Sequence, residues 1–140
     1  MSPSLHTTRR IEFADTDMAG IVHFANFFRF MEAAEQEFLR ARGLSVAMRW
    51  EGEAIGFPRV AASCDYVRPV RFEDVLDVTV KVHNVGRKSV TYAFEFLKEG
   101  ALVARGQVSS VCCRVNDGRE IESITIPDGI RAKLEPASGC

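Results

Sequence analysis

The feature that most constrains this chain is a single long amphipathic segment from Phe24 to Arg42. Apolar side chains recur there at Phe27, Phe30, Met31, Ala34 and Phe38, the i, i+3, i+4, i+7, i+11 spacing of one helical face. Arg29, Glu35, Gln36 and Arg40 fall on other faces, and Gly43 supplies a C-terminal stop. No other stretch of the sequence carries that pattern convincingly. The segment that follows, Ser45 to Pro58, has weak periodicity, and its Gly52, Gly56 and Pro58 predict a loop with a short helical turn.

The rest of the chain reads as strand. Val60 to Val70 is a mixed run, whereas Leu76, Val78, Val80 and Val82 alternate with Asp77, Thr79 and Lys81. Val90, Tyr92, Phe94 and Phe96 share a second face, and a further run of β-branched and small residues extends from Ala101 to Val115. Asn84 to Lys88, Glu99-Gly100 and Asp117-Gly118 separate these runs with residues that tolerate positive φ. Ile11 to Phe13 supplies a candidate first strand.

One long helix and a sheet with one apolar face have an economical solution, in which the sheet curls around the helix. The expected class is α+β, with an antiparallel sheet of about five strands around one central helix. The 140 residues suffice for one continuous core, so residues 1–140 read as a single domain. A sheet of this size leaves open edges, which predicts edge pairing between two chains and a homodimer or homotetramer.

Composition narrows the function. Eighteen basic and nineteen acidic residues give a net charge of −1, without the broad basic face that a nucleic-acid binder needs. No apolar run approaches the roughly 20 residues of a membrane span, and "MSPSLHTTRR" carries no hydrophobic signal region, so a cytoplasmic location is expected. Cys64, Cys112, Cys113 and Cys140 show no metal-ligand spacing and read as reduced, mostly structural thiols. Neither a metal nor a cofactor is expected.

Asp15 and Asp17 stand just before the helix, in "DTDMAGIVHF". Two readings are open. The acids cap a turn or the helix N-terminus, where orphan N–H groups favour a carboxylate; alternatively, those N–H groups bind a developing oxyanion while a carboxylate acts as base or nucleophile on a carbonyl carbon.

The segment "IEFADTDMAGIVHFANFFRFMEAAEQEFL" resembles the signature of the 4-hydroxybenzoyl-CoA thioesterase family of hotdog-fold acyl-CoA thioesterases: a strand ending in D-x-D-x-x-G, then an aromatic-rich helix start with an Asn. The likeness continues through "GFPRVAASCDYVRPVRFEDVLDV", "RKSVTYAFEF" and "NDGREIESITIP", and so covers nearly the whole chain. It implies a hotdog fold and hydrolysis of an acyl-CoA thioester. Asp17 matches the catalytic carboxylate, Gly20 the bend, and the backbone N–H near Phe24 the donor that polarises the carbonyl. Asp15 matches an acidic position that does not react. Glu32 matches an acidic position facing the acyl pocket, and Arg87, Lys88 and Ser89 match the turn that contacts the nucleotide end of coenzyme A across the subunit boundary. His23 departs from the pattern, because aromatic-substrate members carry a bulky aromatic there; as a titratable group beside the site it is a candidate for proton transfer.

A thioester suits so spare a set of groups. A thiol with a pKa near ~8.5 departs with little or no protonation, so one carboxylate and an oxyanion site suffice. The chain shows no G-x-S-x-G elbow, H-E-x-x-H pair or P-loop. Cys112-Cys113 lies within a strand-like run and reads as core. Two alternatives share the scaffold: a non-catalytic module that binds an acyl ligand or a protein, and a dehydratase, for which the sequence lacks the His/Glu pair.

Overall fold

The computed structural model describes residues 4–116 and 120–135. Asp117-Gly118 and Cys140 lie outside them. The elements in chain order are β1 (Ser4–Arg10), a short 3-10 turn (Phe13–Asp15), α1 (Asn26–Ala41), β2 (Ala47–Trp50), β3 (Glu53–Gly56), β4 (Arg59–Tyr66), β5 (Val75–Val85), β6 (Ser89–Lys98), β7 (Ala101–Val111), β8 (Cys113–Val115), β9 (Ile121–Ser123) and α2 (Asp128–Leu134). They form two antiparallel sheets, ordered β1-β5-β6-β7-β4 and β2-β3-β8-β9.

The larger sheet is the five-stranded one that periodicity predicts. Its register places Val78 opposite Phe96, Val80 opposite Phe94 and Val82 opposite Tyr92, while Phe94 faces Gly106 and Tyr92 faces Val108. These positions make one buried face. The stripe of α1 lies on it, with Phe27, Phe30, Met31, Ala34 and Phe38 all buried. Edge-to-face aromatic pairs join the layers: Phe27 with Phe96 at 5.3 Å and Phe38 with Tyr92 at 5.7 Å between centroids.

Four expectations are corrected. The first strand is Ser4–Arg10 rather than Ile11–Phe13. "SLHTTRR" has no apolar alternation, yet it pairs with β5 along its whole length, and the Arg9 guanidinium lies over the Phe30 ring at 4.8 Å. Its inner face is Leu5, Thr7 and Arg9, a single apolar side chain beside the aliphatic and π-stacking parts of polar ones. The supposed loop Ser45–Pro58 contains the β2–β3 hairpin, because Glu51 and Gly52 both adopt positive φ (50° and 83°), the requirement of a two-residue type I′ turn. The described residues therefore hold nine strands and two α-helices, not about five strands and one helix. The second helix, α2, was illegible because seven residues with two buried side chains, Ile130 and Leu134, give too short a pattern. Finally, Glu35 is 1% exposed, so α1 buries a carboxylate that its polar neighbours on the helical wheel placed at the surface.

No helix among the described residues is long and apolar enough to cross a membrane. Cys112 and Cys113 are buried free thiols, as their place in an apolar run implies, with Cys112 at the junction between β7 and β8.

The fit of α1 on the sheet depends on Gly106. A Cβ there would collide with Met31 Cε and lie 2.7 Å from the Ser63 carbonyl oxygen. Met31 is flexible, but the strand carbonyl is not. Gly106→Ala is expected to lower stability by about 1–3 kcal/mol through overpacking, read as a shift in the urea midpoint at constant slope. An unshifted midpoint would show that α1 rides higher on the sheet than this contact requires.

Candidate active site

The two acids sit on a tight hairpin formed before α1. Thr16 and Val22 bridge as antiparallel partners, and the Asp17 N–H donates to the Ile21 carbonyl at 2.9 Å. At the tip, the Gly20 N–H donates to the Asp17 carbonyl at 2.9 Å, and Gly20 holds φ +79°, which disfavours a side chain. Asp17 also closes the turn with its carboxylate, whose Oδ1 accepts from the Ala19 N–H at 2.9 Å. The hairpin is tied to its surroundings by Val22, which donates to the Val70 carbonyl, and by Asn26, whose Nδ2 donates to the Asp15 carbonyl at 2.8 Å.

The backbone separates the two acids. Asp15 Oδ2 accepts from the Glu12 N–H at 2.8 Å and its Oδ1 lies 3.9 Å from Arg9, so this carboxylate fastens the preceding turn to β1. Asp17 is half-buried and uses only Oδ1 in the hydrogen bonds found among the described residues. Neither acid caps α1, whose N-cap is Ala25 and whose first turn holds no acidic residue. The capping reading is thus right for both acids at their turns and wrong for both at the helix.

The second arm carries His23 and Phe24. The Phe24 N–H makes no hydrogen bond among the described residues, whereas its neighbours are engaged: His23 N–H with Asp15, Ala25 N–H with His23 Nδ1 at 3.1 Å, and Asn26 N–H with His23. Because Nδ1 accepts, the neutral imidazole carries its proton on Nε2 and presents a donor, not a base, to the outside. The ring stacks on Phe24 with centroids 4.8 Å apart. Tyr66, at the end of β4, donates its hydroxyl to the Phe24 carbonyl at 2.9 Å and so fixes that peptide. Partial burial pushes the Tyr66 phenol up to about 12, which keeps it a neutral donor. Sequence reasoning missed Tyr66, since an isolated Tyr in a mixed run carries no signal of a contact 42 residues away.

Beside this arm opens a cleft of about 300 Å³, walled by Ile21, Val22, Phe24, Phe27, Tyr66 and Val67. It is apolar, and Ile21, the partner of the Asp17 N–H, belongs to its wall. Asp17, Gly20, His23 and Phe24 are therefore brought together as one unit.

Glu32 and the basic turn are not part of it. Glu32 is exposed on α1 and lines a separate pocket with Phe28, Glu35 and Arg59. Arg87, Lys88 and Ser89 lie where β5 turns into β6, at the far end of an eleven-residue strand, which puts them roughly 30 Å from the hairpin. Their turn is held from behind by Arg131 of α2, which donates to the carbonyls of Gly86 at 2.7 Å and Arg87 at 3.1 Å. The Arg87 side chain is exposed, and among the described residues neither Arg87 nor Lys88 forms an ion pair. The start of β4 belongs to this same end of the molecule, because Pro58 accepts from Val111 N–H and Lys88 from Cys112 N–H. Burial raises the Cys112 thiol to about 11, so it is no nucleophile at neutral pH. No group of three or more His, Cys, Asp or Glu side chains among the described residues is placed to hold a metal ion.

Residues 11–134 match the model of the thioesterase-like superfamily. A 1,4-dihydroxy-2-naphthoyl-CoA hydrolase of Synechococcus sp. (strain CC9605) is 30% identical over 142 residues, spanning 98% of this chain and 93% of that relative. The structure of the 4-hydroxybenzoyl-CoA thioesterase from Pseudomonas sp. strain CBS-3 superposes with a TM-score of 0.79 at 26% identity, covering 94% of this chain and 99% of the other. A gentisyl-coenzyme A thioesterase superposes with a TM-score of 0.79 at 28% identity over 91% of this chain and 99% of the other.

Asn26 is the side chain that ties the hairpin to the helix. Asn26→Ala is expected to lower stability by about 1 kcal/mol, the net value of one such hydrogen bond. Amide exchange at Asp17 and His23 should accelerate with it. Unchanged exchange at both amides would show that the backbone bridge holds the hairpin alone.

Proposed function

The chain belongs to the thioesterase-like superfamily, and from that premise we propose that it hydrolyses an acyl- or aroyl-CoA thioester to the free acid and coenzyme A. The observation that carries this reading is the hairpin itself. One arm holds a carboxylate oriented through Oδ1, with Oδ2 unengaged among the described residues; the other holds an unengaged Phe24 N–H at the start of α1. A nucleophile or base and an oxyanion donor on one rigid turn are the parts that acyl transfer needs. The aromatic walls at Phe24, Phe27 and Tyr66 favour an aroyl group in the cleft.

In this mechanism the thioester carbonyl lies against the Phe24 N–H, and Asp17 attacks the carbonyl carbon through Oδ2. The carbonyl electron pair moves to oxygen, is stabilised by that N–H and the helix dipole, and returns as the C–S bond breaks. Coenzyme A leaves as the thiolate, and water then hydrolyses the mixed anhydride to release the acid and restore Asp17. Half-burial of Asp17 admits water and favours a second route, in which the carboxylate acts as general base and water attacks directly. His23 serves either route as an Nε2–H donor. A non-catalytic acyl-binding module has no use for an unengaged donor on the same hairpin as a carboxylate oxygen left unengaged among the described residues, and thiol release from a panel of acyl- and aroyl-CoAs separates the two functions.

Arg87, Lys88 and Ser89 are assigned to the phosphates and nucleotide of coenzyme A, supplied by a second copy of the chain. Support comes from β4, an edge strand in which every residue except Cys64 is exposed, Val60 by 63% and Tyr66 by 46%. Such an edge invites pairing. A two-fold axis pairs it with itself in antiparallel fashion, which carries the start of one β4, and the basic turn beside it, to the hairpin end of the other. The active unit is then a homodimer, or a tetramer built from such dimers. Glu32, on the flank of α1 beside β4, is assigned to the acyl side of the shared site.

Asp17→Asn is expected to reduce kcat by about 10²-fold or more with circular dichroism unchanged. Near-wild-type turnover in that folded variant would remove Asp17 from the mechanism. For the basic turn, Arg87→Ala with Lys88→Ala should raise KM for acyl-CoA more than it lowers kcat, and rising salt should shrink the difference. Refolding that double variant together with Asp17→Asn should restore low-KM turnover, since one of the two sites in a mixed dimer then has both parts intact. No recovery, in particles shown by light scattering to be dimers, would place the turn in the same chain's site or outside the reaction.

A further inference from the structure

The proposed reaction depends on the Phe24 N–H, yet packing holds little of Phe24 itself: its ring is 62% exposed, and it lies before the first residue of α1. A donor that swings is of little use, since an oxyanion site works through dipoles that are already in place. The direction of this N–H is set by the hydrogen bonds of the two peptide groups that flank the Phe24 Cα.

The first group, His23 C=O with Phe24 N–H, is held at its oxygen, which accepts from the Asn26 N–H at 2.9 Å. The second, Phe24 C=O with Ala25 N–H, is held at both ends. The Ala25 N–H donates to His23 Nδ1 at 3.1 Å, and the Phe24 oxygen accepts from the Tyr66 hydroxyl at 2.9 Å. The same oxygen receives the Phe27 N–H, but at 3.4 Å, which is long for an N–H···O bond. At this carbonyl the helix thus supplies the weak bond, and a strand residue 42 positions away supplies the strong one.

Tyr66 is itself firmly mounted. It ends β4 opposite Ala104, and the two residues after it, Val67 and Arg68, both donate their N–H groups to the Val103 carbonyl, at 2.7 and 3.1 Å. Its ring meets Phe27 at 5.4 Å between centroids, and Phe27 rests in turn on Phe96 of the sheet at 5.3 Å. Direct contacts from Phe96 to Phe27, from Phe27 to Tyr66 and from Tyr66 to the Phe24 carbonyl therefore tie the exposed Phe24 to the core. That carbonyl can only accept, so the hydroxyl donates. Partial burial raises the phenol to about 12, which keeps its proton in place at neutral pH.

We propose that Tyr66 is a positioning residue for catalysis, whose hydroxyl, bonded to the Phe24 carbonyl, aims the Phe24 N–H at the thioester oxygen. This rests on the thioesterase reading above and adds to it the group that orients the oxyanion donor. The ring and the hydroxyl of Tyr66 have separate effects. The ring walls the cleft and packs on the acyl group in ground and transition states alike, so it acts on KM. The hydroxyl acts through a donor whose bond strengthens as charge develops on the oxygen, so it acts on kcat. Removing an oxyanion donor outright costs about 10²- to 10³-fold in kcat. A donor that stays but is free to turn costs less, about tenfold.

Tyr66→Phe deletes the hydroxyl and keeps the ring, whereas Tyr66→Met deletes both; either variant, once shown by circular dichroism to be folded, decides the question. With saturating enzyme and an aroyl-CoA in single turnover, Tyr66→Phe should slow thiol release by about tenfold while the steady-state KM stays within about twofold. Tyr66→Met should lose as much rate and raise KM as well. A second readout uses substrate labelled with carbon-13 at the thioester carbonyl and bound to Asp17→Asn. Its infrared carbonyl stretch should lie below that of the free thioester, and adding Tyr66→Phe or Tyr66→Met should return it toward the free position. A tyrosine with a structural role alone would leave that band where it is. An unmoved band, or a single-turnover rate within about twofold of wild type in either folded variant, overturns the proposal. Failure of the wild type to release thiol from any acyl- or aroyl-CoA defeats the thioesterase reading instead, whereas an active wild type indifferent to the hydroxyl defeats the role of Tyr66 alone.

Discussion

The contact between α1 and the apolar face of the five-stranded sheet sets the position of everything else. A helical stripe of period 3.6 has to meet rows of side chains of period two, and it does so through rings: Phe27 on Phe96 and Phe38 on Tyr92. Gly106 removes a side chain where Met31 comes down, so the layers close without a gap. Because these contacts occur at both ends of α1, the helix has one axial position. Its N-terminus is fixed near the start of β5, and with it the hairpin that carries Asp17.

That hairpin illustrates how backbone geometry divides labour between identical side chains. Asp15 and Asp17 are two residues apart and chemically the same. Asp15 lies where the chain leaves a 3-10 turn, and both of its oxygens serve the turn and β1. Asp17 lies at the entry to a glycine bend, where one oxygen locks the loop and the other is unengaged among the described residues. The same economy holds on the returning arm. His23 spends its Nδ1 on the backbone, Tyr66 holds the Phe24 carbonyl, and the Phe24 N–H remains unengaged among the described residues.

The length of β5 imposes a second constraint. Eleven extended residues keep the basic turn away from the hairpin within one chain, however the loops are arranged. A substrate with a reactive carbonyl at one end and phosphates at the other can still use both if the second comes from a partner. In the dimer proposed above the uncovered edge at β4 would supply the means; within the chain, α2 supplies rigidity, since Arg131 braces the turn through two carbonyls.

How much of this was legible depended on the range of each interaction. The amphipathic helix, the strands at Leu76–Val82 and Val90–Phe96 and the glycine bend are local patterns, and the sequence alone determined them; the resemblance of the acidic motif also marked the family correctly. The strand Ser4–Arg10 was illegible because its burial comes from pairing with β5 and from the contact of Arg9 with Phe30, neither of which leaves an apolar alternation. The β2–β3 hairpin was hidden by a Glu that adopts positive φ, and α2 by its brevity. In the candidate site, Asp17, Gly20, His23 and Phe24 lie within eight residues and could be named from the chain. Tyr66, Arg131 and the Glu35–Arg59 pair could not, because each acts across at least 24 residues of sequence on a partner chosen by the packing of the sheet. Tertiary structure alone decided that one helical glutamate was buried, since that burial and its bond to Arg59 depend on groups remote in sequence.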